Sequence, residues 1–394
     1  MRKVKNIIFV GLYDDDNLGD EVIYKCTKYL YSKYSIDVKY ESRSLSLLNP
    51  PIGDIIPNII KRGAYKLRKI LGAIFFKRNY FSATTMQKLW DIQQYYYGAI
   101  QGADLIIVAG GGLIKYRYQF CCWGSLSVLL RAANKRNIPV WLNAVGVEGY
   151  DEKENSCRYL KESLHLPCVK KISVRDDIST LIDKYFDGKP QCECRKVADT
   201  AVYAGEAYNN QKLNNSQIIG IGIGDEFLFF GRDEINHPIN HREFYIDLIK
   251  RLLAEQQKII LFNNGAKEDN KTAIEIFNIF RFAGKSIELK MPESDEQLIE
   301  IIAKCRGIIA ARLHSCIIAY SLDIPCVGMV WNEEVAFFGK NIGYPNRFLR
   351  DYEMQPENAL KQIKIALKVG YNETKRDEYR KTIIDNIKMN VEEL

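Results

Sequence analysis

The chain has 394 residues, more than one ordinary core holds and enough for two domains. Hydrophobic residues make up 47% and charged residues 27%, which excludes a disordered, collagenous or coiled-coil protein. The 56 Lys and Arg exceed the 49 Asp and Glu by a net +7, but the excess is local. No acid stands between Asp54 and Asp91, where Lys61, Arg62, Lys66, Arg68, Lys69, Lys77, Arg78 and Lys88 fall, so no uniformly basic nucleic-acid binder is expected.

In chain order, residues 6–12 form the apolar run of a buried parallel strand. A loop through Asp14, Asp15, Asp16 and Asn17 leads to a predicted helix from Asp20 to Tyr34, with Val22, Ile23, Cys26, Tyr29 and Leu30 on one face. Residues 59–78 predict a basic amphipathic helix, with Ile60, Leu67, Ile70, Leu71, Ile74 and Phe75 opposite Lys61, Arg62, Lys66, Arg68, Lys69 and Lys77. Two readings of it stay open: a surface helix packed on the first domain, and a peripheral contact with anionic lipid. A strand at 104–109 is expected to end at Gly110, Gly111 and Gly112. A helix from Ser125 to Lys135, strands at 138–145 and 169–174, and a helix at 177–185 follow.

Residues 205–217 are polar and Asn-rich and read as an interdomain linker. The pattern then restarts with strand 218–223, helix 242–255, strand 258–263, helix 269–280 and strand 286–290. Helix 295–304, strand 307–310, helix 314–321 and strand 325–330 complete it. Two runs of strand–helix units predict an α/β protein of two parallel-sheet domains, 1–204 and 218–394, with the last helices packing back on the first.

The ten cysteines hold no C-x-x-C pair, only Cys121–Cys122 and Cys192-x-Cys194, so neither a zinc site nor a disulfide framework is expected. His165, His237 and His241 show no ligand spacing, and Pro238 argues against a regular helix holding a metal between the last two. The first apolar run, Ile7 to Val10, is too short for a secretion signal, and no stretch approaches the ~20 apolar residues of a membrane span. A cytoplasmic protein is the expectation.

Four strand-end segments carry groups suited to chemistry. Asn17-Leu18-Gly19-Asp20 lies at a strand-to-helix turn, where open α/β sheets bind ligands; Gly19 admits close approach, and Asp20 either caps the helix or accepts from a hydroxyl. Gly110-Gly111-Gly112 is either a tight turn or a set of backbone N–H groups for a bulky anion. In Ser173-Val174-Arg175-Asp176-Asp177, Arg175 either grips a carboxylate or phosphate or pairs with Asp176 at the surface. In Ala311-Arg312-Leu313-His314, extended backbone would point a fixed cation and a titratable ring the same way, the alternative being a helix-start histidine in a backbone contact.

Taken together, these segments resemble the polysaccharide pyruvyl transferase family, in chain order from Gly11 to about Gly343. Tyr13 through Asp20-Glu21 is similar to its opening N-x-G-D-E turn, Gly110–Gly112 to its glycine turn, and Ser173–Asp176 to its S-V-R-D segment. Asp199 is similar to the aspartate before its linker, and Arg312-Leu313-His314 through Pro325 to its R-x-H segment. Two positions depart from it: Val145 stands where a glutamine is frequent, and Glu334 where a lysine is frequent.

The resemblance implies two Rossmann-like domains facing a cleft, as in GT-B glycosyltransferases. It implies transfer of pyruvyl from phosphoenolpyruvate to a sugar of a surface polysaccharide or lipid-linked oligosaccharide precursor, as a ketal, with no cofactor or metal. The donor would meet Arg312, Arg175 and Gly110–Gly112. His314 would move a proton, Arg312 would share the catalytic site, and Asn17, Gly19 and Asp20 would hold the acceptor from the first domain. Rival readings are a glycosyltransferase using a nucleotide sugar and a non-catalytic scaffold of polysaccharide assembly.

Overall fold

The computed structural model describes residues 4–13, 17–35, 39–45, 81–117, 120–225, 240–282 and 287–394. The expected basic helix at 59–78 and His237 lie outside the described residues.

The chain divides into two compact units. The first comprises Met1–Leu12 and Asp37–Arg195. Its six-stranded sheet contains β1 (Asn6–Gly11), β2 (Lys39–Ser44), β3 (Leu105–Lys115), β4 (Val140–Glu148), β5 (Val169–Val174) and β6 (Glu193–Lys196), in the order β2-β1-β3-β4-β5-β6. The pairs from β2 through β5 are parallel. Ile7, Ile8, Phe9 and Val10 of β1 are all fully buried, so both faces of this strand meet packed side chains, as in a sheet covered on two sides. The Leu126–Lys135 helix buries Val128, Leu129, Ala132 and Ala133.

The second unit comprises Tyr13–Ile36 and Lys196–Leu394. Its strands are β7 (Ile218–Gly222), β8 (Lys258–Phe262), β9 (Ile287–Leu289), β10 (Gly307–Ala310), β11 (Cys326–Val330) and β12 (Phe348–Arg350), ordered β12-β11-β10-β7-β8-β9. Every adjacent pair is parallel. Ile219, Ile221, Leu248, Ile309, Val327 and Met329 form part of its core. Two parallel sheets with their helices establish the expected two-domain α/β class.

The division of the chain differs from the expected boundary at 204. The Leu18–Tyr34 helix belongs to the second unit. Lys25 reaches Asp295 at 2.8 Å and Glu296 at 2.9 Å, and the Thr27 and Thr200 hydroxyls meet at 3.0 Å. Although burial opposes its charge, the bonds to Asp295 and Glu296 hold the Lys25 ammonium above its usual range. The terminal helix, Glu373–Glu392, does return to Leu18–Tyr34, where Asn390 donates to the Tyr31 hydroxyl at 2.9 Å, but that contact lies inside the second unit.

Residues 205–217 are not a free linker. Gly205 N donates to the Ser321 hydroxyl at 3.2 Å and Leu213 N to the Ala303 carbonyl at 2.8 Å. Their polarity reflects surface position, while their backbone is tied down.

Candidate functional site

Because the strands of the second sheet are parallel, their carboxyl ends share one edge. β10 delivers Arg312 there, and the Leu313–Ser321 helix starts immediately after it. The extended backbone expected across 312–314 stops at Arg312, whose φ of −77° and ψ of 127° cap the helix, and His314 stands in the first turn. Arg312 and His314 therefore reach this edge from a cap and a helix rather than from one strand.

Arg312 is held by an acid that its own segment did not announce. Its Nε donates to Asp269 Oδ2 at 2.8 Å and its Nη2 to Asp269 Oδ1 at 3.0 Å. Asp269 is fully buried and also accepts from Asp225 N at 2.7 Å. Such a two-point bond fixes the guanidinium plane and leaves Nη1 outside the pair. Nearby, the buried Tyr245 hydroxyl accepts from Gly224 N at 3.0 Å; burial pushes its pKa above the usual phenol range, so it is a neutral group.

β8 is followed by the turn Asn263-Asn264-Gly265. Gly265 N donates to Asn263 Oδ1 at 2.8 Å, and Asn263 Nδ2 donates to Asn270 Oδ1 at 2.8 Å, so the turn is cross-tied. Gly265 has φ +94°, a conformation that favours glycine. Asn264 is 1% exposed, its carbonyl accepts from Leu18 N at 2.9 Å, and its Oδ1 accepts from the Ser315 hydroxyl at 2.6 Å.

The Leu18 bond brings the N-terminus of the Leu18–Tyr34 helix to this edge. A side-chain carbon placed on Gly19 would lie 2.3 Å from His314 Nδ1, so glycine is required by contact. Asn17 caps the helix, accepting from Gly19 N at 3.3 Å and donating to Asp20 Oδ2 at 2.8 Å. The fold thus gathers Asn17, Gly19, Asp20, Arg312 and His314 in one unit. The first three had been expected on the opposite domain.

Gly110–Gly112 and Arg175 belong to the first unit. The glycines do not end the strand as expected. β3 runs on to Lys115, with an irregular register between Gly111 and Ile114 and positive φ at Gly110 (27°) and Gly111 (86°). The neighbouring strand is irregular at the same level, where Ala144 has φ +52° and its N donates to the Ser173 hydroxyl at 2.9 Å. The glycines therefore form a bulge inside the sheet, which accommodates left-handed backbone without a turn.

Arg175 is 5% exposed, so the surface ion pair with Asp176 is corrected to a buried, loose one with Nε 3.9 Å from Asp176 Oδ2. Asp176 Oδ1 accepts from Val147 N at 2.9 Å and Asp177 N at 2.7 Å. Asp177 caps the next helix, its side chain accepting from Thr180 N. Glu334, at the departing position, lies in the first turn of the Glu333–Asn341 helix, where the helix dipole favours an acid.

The sequence reading missed Asp269 and Asn264. The Asn-Asn-Gly turn directly after β8 was the available signal, since such turns at a parallel sheet's carboxyl edge border ligand sites. Among the described residues no group of three or more His, Cys, Asp or Glu could hold a metal ion. No helix among them is long and apolar enough to cross a membrane.

A model of the family "Polysaccharide pyruvyl transferase" matches residues 17–333. No curated protein matches the sequence. Among solved structures, UDP-GlcNAc 2-epimerase from Methanocaldococcus jannaschii is similar with a TM-score of 0.60 at 13% identity, covering 98% of this chain and 99% of that one. UDP-N-acetylglucosamine 2-epimerase from Rickettsia bellii has a TM-score of 0.56 at 12% identity, covering 99% and 96%. At these identities the likeness is one of fold.

Proposed function

The chain belongs to the polysaccharide pyruvyl transferase family, transferases of polysaccharide modification, and from that premise we propose that it moves a pyruvyl group from phosphoenolpyruvate onto two hydroxyls of a saccharide. The observation that carries this reading is the contact of Gly19 with His314, which joins the Asn17–Glu21 turn to the Arg312–His314 segment.

In the proposed reaction Arg312 holds an anionic group of the donor, oriented by Asp269. Protonation of the donor's methylene carbon makes its C2 electrophilic. One acceptor hydroxyl bonds to C2, the C2–O bond to phosphate breaks, and the second hydroxyl closes the ketal. One hydroxyl proton balances the new methyl group and the other leaves with phosphate. His314 moves a proton in these steps. Asp20 accepts from an acceptor hydroxyl, and Asn17, already used as the helix cap, holds Asp20 in place. No cofactor or metal enters this scheme. The acceptor is a surface-polysaccharide or lipid-linked precursor on the cytoplasmic side.

The test is a phosphate-release assay with phosphoenolpyruvate and candidate saccharides, with the product examined by NMR for a ketal methyl group. Phosphate and ketal in equal amounts support the reading. Turnover of a nucleotide sugar, with none of phosphoenolpyruvate, replaces it with a glycosyltransferase.

A further inference from the structure

We infer that Asn264 is a phosphate-binding residue: its side-chain amide donates to a phosphoryl oxygen of the substrate at the start of the Leu313–Ser321 helix. The amide is 1% exposed, and its Nδ2 finds no acceptor among the described residues. Its orientation is fixed by the Ser315 hydroxyl, which donates to Oδ1 at 2.6 Å. An amide N–H removed from water and left unmet destabilises a fold, so a buried one at a sheet's carboxyl edge points to an absent acceptor.

The surroundings state the charge of that acceptor. Ser315 lies in the first turn of a nine-residue helix whose capping residue, Arg312, makes no side-chain cap. The Asn264 carbonyl receives Leu18 N from the start of a second helix. Both helix starts are positive ends that favour an anion.

The shape of the acceptor follows from what Arg312 has left. Its Nε and Nη2 edge, which would match a planar carboxylate, is occupied by Asp269. The donors that remain are single N–H groups on separate elements. They suit the three divergent oxygens of a phosphoryl group better than the two coplanar oxygens of a carboxylate. This deepens the proposed function and rests on it only for the identity of the phosphate-bearing donor.

Asn264→Asp tests the inference, because it keeps an acceptor for Ser315 and exchanges the N–H donor for an anionic oxygen. Asn264→Ala serves beside it, and thermal melting without ligand confirms that each variant is folded. Dissociation constants are measured for phosphoenolpyruvate, inorganic phosphate, pyruvate and a uridine diphosphate sugar. Phosphoenolpyruvate and phosphate are expected to bind about tenfold to a hundredfold more weakly to both variants, since hydrogen bonds to charged groups have about that worth. Pyruvate is expected to bind them as it binds the wild type.

Unchanged phosphate and phosphoenolpyruvate affinities would overturn the inference and leave the pyruvyl transfer standing. A loss confined to pyruvate would overturn it in favour of a carboxylate contact. If only the diphosphate sugar binds, the pyruvyl reading fails, and the inference survives only if that sugar weakens by the same factor. Binding of none of the three phosphorus compounds to the wild type would overturn it outright.

Discussion

At the carboxyl edge of the first sheet, polar side chains shape the backbone. Ser173 receives Ala144 N, Asp176 receives Val147 N and Asp177 N, and Asp177 caps the following helix. At the carboxyl edge of the second sheet, polar side chains orient one another. Asp269 holds Arg312, Ser315 holds Asn264, and Asn17 holds Asp20. The first arrangement maintains a strained bulge, whereas the second holds Arg312, Asn264 and Asp20 in fixed orientations. Parallel sheets supply the same edge twice, and the side-chain partners decide what each edge does.

The largest expected effect sharpens this contrast at its most reactive point. His314→Gln should lower turnover by about 10²–10⁴-fold while leaving phosphoenolpyruvate affinity within a few-fold, as for loss of a proton-transfer group. Wild-type turnover in this variant, measured by phosphate release across the pH range, would move the proton role elsewhere.

Next comes the Gly19 contact. Gly19→Ala should lower turnover by about 10²-fold, because the new methyl displaces His314. It should also destabilise by about 1–3 kcal/mol through overpacking. His314→Gly in the same chain, which also removes the β-carbon 2.4 Å from the new methyl, should offset much of that loss. A denaturation cycle showing simple additivity would break the claim that the two residues touch.

Asp269→Asn isolates the orienting pair. It removes the charge that faces Arg312 and should cost about 3 kcal/mol in urea denaturation, the low end for breaking a buried pair, since Arg312 keeps some solvent contact. The smallest effect belongs to the first edge. Ala144→Gly relieves a left-handed residue and should raise stability by about 1 kcal/mol, partly offset by the entropy of the unfolded glycine. A fall in stability there would mean that the Ala144 methyl contributes more by packing than its backbone loses by strain.

Much of this architecture was legible in the sequence. Residues 169–174 and 307–310 were read as strands with the observed bounds, because short apolar runs between polar turns have few other fates. Of the four sheet rims only β9, expected at 286–290, was read; β2, β6 and β12 were not. β2 reads Lys39-Tyr-Glu-Ser-Arg-Ser44, whose charges suit an edge strand and hide its periodicity. The glycine turn was misplaced because a bulge and a strand end have the same composition.

The candidate site was half visible. Arg312, His314 and the Asn17–Asp20 turn stood out by residue type and position. Their gathering did not, because a helix early in the chain packs with a sheet formed two hundred residues later, and local pattern carries no such information. Asp269 was hidden for a related reason: an acid in the first turn of a helix looks like a dipole partner until the arginine it faces is seen.

The most direct measurement is a calorimetric titration of phosphoenolpyruvate into the wild type and Arg312→Ala. The account predicts saturable binding to the wild type and a loss of about tenfold to a hundredfold in the variant, the worth of a hydrogen bond to a charged group. Equal affinity in both proteins would contradict it, as would a wild type that ignores phosphoenolpyruvate while binding a nucleotide sugar.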